Sequence, residues 1–174
     1  MTELLIGCGS KRDKLVMTRH VSTWEHLVTC DINPDHDPDV VCDLNHVPWP
    51  FADESFDEVH AYEVLEHLGT QGDWRAFFDH FAEMWRILKP GGVVCASAPS
   101  WNSQWAWGDP SHTRVITQGS LVFLSQDEYE KQVGITPMSD FRFYWKDDFE
   151  PTYVNETEEH LWFVLQKKVA HADS

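Results

Sequence analysis

A glycine turn entered directly from an apolar run, followed by two acids at set distances, constrains this chain more than any other feature. Leu4-Leu5-Ile6 reads as a buried strand that breaks into Gly7-Cys8-Gly9; Asp31 ends a second apolar run, and Asp43, twelve residues on, ends a third. A glycine turn lets backbone N–H groups come close to a ligand, because no Cβ stands in the way. An acid at the end of the next strand is placed to take the two hydroxyls of a ribose. Together the turn and the acids describe an adenosine-binding edge on an alternating strand–helix fold.

The rest of the pattern agrees with that fold. Glu3–Ile6, Leu27–Asp31, Asp39–Cys42 and Phe56–Ala61 are predicted as strands one to four, the last entered through Asp53-Glu54-Ser55. The clearest helix has Asp73 as N-cap and Trp74, Phe77, Phe78, Phe81, Met84, Trp85 and Leu88 at three- and four-residue steps, with Pro90-Gly91-Gly92 as its stop. Val93–Ala98 is a continuous apolar run, as in a strand covered on both faces of a parallel sheet. Ser125 with Glu128 predicts a capping box, and Gly134 the end of that helix. Phe141–Trp145 and Leu161–Leu165 are predicted as two late strands joined by an acidic loop that holds the acids from Glu150 to Glu159. The expected class is α/β: a Rossmann-like, doubly wound, mostly parallel sheet with a C-terminal antiparallel hairpin.

One helix is missing from the pattern. Between Gly9 and Asp31 the apolar positions Leu15, Val16, Met17, Val21 and Trp24 hold helical spacing poorly, so the first helix is expected to be short or absent. That weighs against a dinucleotide, whose fingerprint needs a third glycine where Arg12 stands and a firm helix N-terminus for the pyrophosphate. An NAD-dependent oxidoreductase is therefore the weaker alternative. Lys11, Arg12 and Lys14 form the one basic cluster and read as a solvated loop. Residues 1–174 read as one domain with a net charge of −16, which repels a phosphate backbone and makes nucleic acid a poor partner. No apolar stretch reaches the roughly 18 to 20 residues of a membrane span. The start lacks a basic n-region, and the four cysteines (Cys8, Cys30, Cys42, Cys95) show no C-x-x-C spacing. A cytoplasmic protein with free thiols, and with neither a zinc site nor a disulfide frame, is expected.

Six motifs, in this order, resemble the class I S-adenosylmethionine-dependent methyltransferases. They are Leu5-Ile6-Gly7-Cys8-Gly9-Ser10, Cys30-Asp31-Ile32, Asp43-Leu44-Asn45, the run from Val47 to Val59, Glu63-Val64-Leu65-Glu66-His67-Leu68 and Ile87-Leu88-Lys89-Pro90-Gly91-Gly92. The likeness is to small methyltransferases with a G-C-G-S loop and no full first helix, and it covers about residues 3 to 98. It implies S-adenosylmethionine as cofactor, with Gly7, Cys8 and Gly9 under its methionine part. It further implies Asp31 on the ribose, Ile32 against the adenine, Asp43 and the Leu44 backbone at the adenine amino group, and Tyr62 facing the methyl-bearing sulfur. Where the family often has a third glycine in the loop, this chain has Lys11. Helices ahead of the first strand commonly lid the substrate in this superfamily, and only two residues stand there, so an open pocket or one completed by a second copy of the chain is expected.

Methyl transfer from a sulfonium is an in-line displacement in which positioning supplies much of the rate. A base is needed only when the acceptor arrives protonated; His67 and His112 are the catalytic candidates, with Glu66 and Asp109 behind them. The other eight histidines, His20, His36 and His46 among them, are read as surface residues. Trp101, Trp105 and Trp107 crowd the loop after the fifth strand, either as cover for the sheet edge or as a wall for a ring-bearing or cationic acceptor. Ala61-Tyr62-Glu63-Val64 lacks the Pro-Pro run of amino-methylating DNA enzymes, and no cysteine follows a proline as in cytosine-C5 enzymes. The acceptor is thus expected to be a small molecule, glycan, lipid or protein. A sensor or accessory subunit that binds the nucleoside without catalysis is the other alternative.

Overall fold

Leu4, Leu5 and Ile6 are almost wholly inaccessible, as a strand covered on both faces must be. They belong to β1 (Glu3–Ile6), an interior strand of a seven-stranded sheet in the computed structural model, which describes residues 1–18 and 21–168. The other strands are β2 (Leu27–Asp31), β3 (Val40–Val41), β4 (Phe56–Tyr62), β5 (Leu88–Pro99), β6 (Phe149–Glu156) and β7 (His160–Lys167), in the order β3-β2-β1-β4-β5-β7-β6. All neighbouring pairs from β3 to β5 are parallel, and β7 runs antiparallel to both β5 and β6. The expected α/β class with one reversed strand is what forms. Chain order reverses direction between β1 and β4, and ligands of such sheets sit beyond the strand carboxyl ends at that switch.

The helix α1 (Trp74–Ile87) starts where expected, with the Asp73 carboxylate accepting from the Ala76 amide at 3.1 Å. Its stripe of Phe78, Phe81, Met84 and Ile87 is buried in the main core with Val59, Ala61 and Val94. Each such side chain contributes about 1.5–3 kcal/mol of burial. The helix stops before its expected terminator: β5 begins at Leu88 and takes in Pro90-Gly91-Gly92. The amides of Glu54 and Ser55 bond the carbonyls of Arg86 and Ile87 at 2.9 and 2.8 Å, so the turn before β4 ends the helix. Three short helices follow: α2 (Gln104–Gly108), α3 (Gln118–Leu121) and α4 (Gln126–Gln132).

Two further expectations need correction. Ser125 precedes α4 but makes no capping bond, and the Asp148 carboxylate takes the Gln126 amide at 2.8 Å; the capping box lies instead at Thr117 and Ser120. Phe141–Trp145 is a turn, closed by the Tyr144 and Trp145 amides on the Phe141 carbonyl. Its rings gather around α1, with Trp145 stacked on Phe78 and Phe141 packed 5.2 Å from Trp74. The outer hairpin strand is Phe149–Glu156, so most of the supposed acidic loop is edge strand, interrupted by a register shift at Pro151. Charges and a proline on an edge protect it from pairing with other chains.

No helix forms among the described residues between Gly9 and Leu27, as expected. The sheet face there is covered by an ion network. Lys14 is correspondingly not a solvated residue: its side chain is 2% exposed, with Nζ against Glu3 Oε1 and 3.0 Å from Glu58 Oε2. Glu58 also accepts from Thr18 Oγ1 and pairs with His60 Nε2 at 2.9 Å, while Glu3 Oε2 accepts the Glu25 amide at 2.7 Å. The Trp24 ring closes over His60 and Lys14. His60 and His80, expected on the surface, are both buried; His20 lies outside the described residues. Among the described residues, no helix is long and apolar enough to cross a membrane.

Candidate functional site

The glycine turn leaves β1 with Gly7 at φ +59° and Gly9 at φ +52°, both in the left-handed region that glycine enters without strain. The Cys8 amide bonds the Cys30 carbonyl of β2 at 3.1 Å. The Gly9 amide donates to Asp31 Oδ2 and the Asn33 amide to Asp31 Oδ1, each at 2.8 Å. The predicted loop and acid are therefore one corner, and Asp31 is only 6% exposed within it. Burial pushes the Asp31 carboxyl up, but the Asn33 and Gly9 amides and the His36 ring, 3.3 Å from Oδ1, outweigh it and hold it below its ordinary value. Ile32, next to it, is 63% exposed, an apolar side chain left in solvent at the corner.

The two glycines are there for different reasons. A Cβ on Gly7 would lie 2.4 Å from Val64 Cγ2, whereas one on Gly9 would meet nothing within 4 Å. Alanine at either position carries about 1–2 kcal/mol of left-handed strain. Gly7→Ala is expected to add about 1–3 kcal/mol of overpacking to that. Urea denaturation of the two variants checks it, and equal losses would show that Val64 simply moves aside.

Asp43 caps its own turn: Oδ1 accepts the Asn45 amide at 2.9 Å, and Oδ2 lies 3.1 Å from His46 Nδ1. The Asn45 amide is the main cause of its lowered carboxyl pKa. Leu44 is buried, and its carbonyl accepts Trp49 Nε1 at 3.0 Å. Tyr62 ends β4 with its hydroxyl accepting the Val16 amide at 3.0 Å and sharing a 2.6 Å bond with His60 Nδ1, so it anchors the segment that replaces the first helix. Burial raises its phenol pKa. Nothing in the local sequence signals that tie.

The four candidate groups for chemistry come together beyond β4 and β5. His67 and His112 pack edge to face with ring centres 4.7 Å apart. Glu66 lies beneath them, 2% exposed, its carboxyl pushed up to about 8 by burial. Asp109 is fixed by Ser111, whose amide donates to Oδ1 at 2.8 Å, and its Oδ2 lies 3.8 Å from His112 Nε2. Trp101, Trp105 and Trp107 do not cover the sheet edge. All three are exposed, Trp107 at 70%, with its Nε1 donating to the Trp101 carbonyl at 2.7 Å. A cavity of about 340 Å³ lies nearby, lined by Trp74, Phe77, Phe123 and Arg114 among others. A larger one, about 750 Å³, opens on the sheet face beside Leu15–Thr18, away from these groups.

Structures of similar fold include a SAM-dependent methyltransferase from Archaeoglobus fulgidus, 16% identical, covering 95% of this chain and 86% of its own, with a TM-score of 0.58. A SAM-dependent methyltransferase from Methanosarcina mazei is 17% identical over 97% of this chain and 92% of its own, TM-score 0.54. The N-methyltransferase NodS from Bradyrhizobium japonicum, in complex with S-adenosyl-L-homocysteine, is 14% identical over 95% and 77%, TM-score 0.53. At such identities the likeness is one of fold. No curated protein matches the sequence. The family model described as a methyltransferase domain matches residues 4–96, which span the glycine turn, both acids, the Glu66-His67 pair and α1, and by that match the chain belongs to the methyltransferase domain family.

Proposed function

We propose that this methyltransferase carries the methyl group of S-adenosylmethionine to an acceptor other than nucleic acid, holding the nucleoside at the corner built by Gly7–Gly9, Asp31 and Asp43. The bond from the Gly9 amide to Asp31 Oδ2 carries the reading, because it joins the glycine turn and the strand-end acid in one corner. The residues suit this donor. Space beside Gly9 is open where a Cβ would stand, Ile32 offers an unpaired apolar face, and Asp31 keeps lone pairs beyond those that Gly9 and Asn33 use. NodS, with S-adenosyl-L-homocysteine bound, supports the same donor.

S-adenosylmethionine supplies a methyl group on a sulfonium, which an acceptor lone pair displaces in line. The chain's part is to bind and orient. Asp31 takes the ribose hydroxyls, Gly7, Cys8 and Gly9 run beneath the methionine part, and Ile32 packs on the adenine. Asp43 and the Leu44 backbone meet the adenine amino group, and Tyr62 borders the sulfonium. His67 and His112, wherever a ring nitrogen keeps a free lone pair, stand as bases for an acceptor that arrives protonated. The net charge of −16 disfavours a phosphate backbone and leaves small molecules, glycans, lipids or proteins as acceptors.

Calorimetric titration with S-adenosylmethionine, S-adenosylhomocysteine and NAD tests the reading. The two sulfur nucleosides are expected to bind one per chain, and NAD is not. Binding of NAD alone would overturn it. S-adenosylhomocysteine binding without methyl transfer from labelled donor to any substrate pool would make the chain a sensor or accessory subunit.

A further inference from the structure

We infer that Glu66, His67 and His112 form a binding site for one first-row divalent cation such as zinc, with Asp109 at its rim. Glu66 and His67 come from a single helical turn after β4 (Leu65–His67), and His112 from the loop after β5. The Thr113 and Arg114 amides donate to the Glu66 carbonyl at 2.9 and 3.1 Å, clamping that loop onto the turn. One ligand atom from each of the three side chains lies within 4.8 Å of the other two. His67 Nε2 and His112 Nε2 stand 4.0 and 3.9 Å from Glu66 Oε1. These separations are too long for hydrogen bonds. They are close to what a shared ion imposes, since metal bonds of about 2.0–2.2 Å place tetrahedral ligands about 3.4 Å apart.

Glu66 supplies the independent sign. It is 2% exposed, yet neither carboxylate oxygen has a hydrogen-bond partner among the described residues. Burying such a group unpaired is costly, and a bound cation meets that need. His67 Nδ1 lies 3.1 Å from the Ser111 carbonyl, which can only accept, so Nδ1 is the donor there and Nε2 is the ring nitrogen turned to Glu66. A backbone carbonyl commonly orients a metal-bound imidazole in this way. Two imidazoles and a carboxylate suit zinc and its first-row neighbours. Three protein ligands leave a coordination position free, as in catalytic zinc sites. Glu3, Glu58 and His60 form the other such cluster among the described residues, but there the Lys14 ammonium already sits against both carboxylates.

Cobalt titration of chelator-treated protein tests the inference, and it is read without methyl donor or acceptor, so it stands apart from the methyl-transfer reading. One Co²⁺ per chain is expected, with a visible absorption band that Zn²⁺ abolishes. Glu66→Gln and His112→Gln should each weaken binding by about 100-fold or more, given that even groups which only orient ligands are worth 10- to 100-fold. His26→Ala, at an exposed histidine far along the chain, should leave binding unchanged. Absence of the band in the wild-type protein overturns the proposal without recourse to any variant. Binding that survives both substitutions in folded protein, checked by circular dichroism, does the same.

Discussion

Asp31→Ala is expected to lower the affinity for S-adenosylhomocysteine by about 100-fold or more, from the loss of two hydrogen bonds to a charged group at about 1.5 kcal/mol or more each. Two effects act together. The carboxylate that would accept the ribose hydroxyls is gone, and the Gly9 and Asn33 amides lose the acceptor that fixes the turn. Asp31→Asn keeps one acceptor oxygen for the Gly9 or the Asn33 amide and turns an NH2 toward the other, so a smaller loss and an intermediate affinity are expected. Calorimetry gives the affinities, and thermal melts of the unliganded variants show how much of the change is loop stability. Unchanged binding by Asp31→Ala would move the nucleoside away from this corner.

The largest stability effect should come from Lys14→Met. Removing the ammonium leaves Glu3 and Glu58 buried without their cation, and breaking a buried pair in this way costs about 3–5 kcal/mol. The loss should show in urea unfolding near neutral pH. Its pH dependence follows from the same groups. Burial pushes the Glu58 carboxyl up, but His60, Thr18 and Lys14 prevail and hold it at about 2, against an ordinary 4.5. A depressed carboxyl stabilises above the unfolded value, so this contribution is full above about 4.5 and fades as the pH falls from there towards about 2. His60 acts in the same direction. Burial lowers its pKa below 6.5, so as the pH drops under that value the unfolded chain takes up a proton that the folded one resists. Wild-type protein should therefore weaken steadily in acid. In Lys14→Met the Glu58 carboxyl loses one of the groups that hold it ionised, so the gap between variant and wild type should narrow at low pH. A gap that stays constant would mean that Lys14 acts by packing alone.

What could be read from the chain divides along a physical line. Features written in contiguous residues were legible: the ends of β1 and β2, the Asp73 cap, the α1 stripe and the poor helical spacing of residues 10–26. Features that depend on distant partners were not. Phe141–Trp145 alternates like a strand, yet its rings find better burial against Trp74 and Phe78; β6 hides its period behind Pro151 and a row of acids. Lys14 looks solvated until Glu3 and Glu58 are brought to it from two neighbouring strands. In the candidate site, the corner formed by the glycine turn and Asp31 was legible because the two occupy consecutive strands. His67 and His112 were legible only as separate candidates, not as neighbours. The cysteine spacing that argued against zinc has no bearing on a cluster of two histidines and a glutamate, which is joined by the clamp from Thr113 and Arg114 to Glu66 and by the bond from His67 to the Ser111 carbonyl.

The helix-free stretch after Gly9 has one more consequence. Lys14 follows the turn by five residues, and no hydrogen-bonded rod stands between them to take up a displacement. The corner at Gly9 and Asp31 and the charged centre beneath the sheet are thus joined by five residues of chain. Coupling between them is reciprocal by thermodynamic necessity: a ligand that steadies the turn steadies the ion network to the same degree that an intact network favours the ligand. Acid that loosens one should loosen the grip of the other.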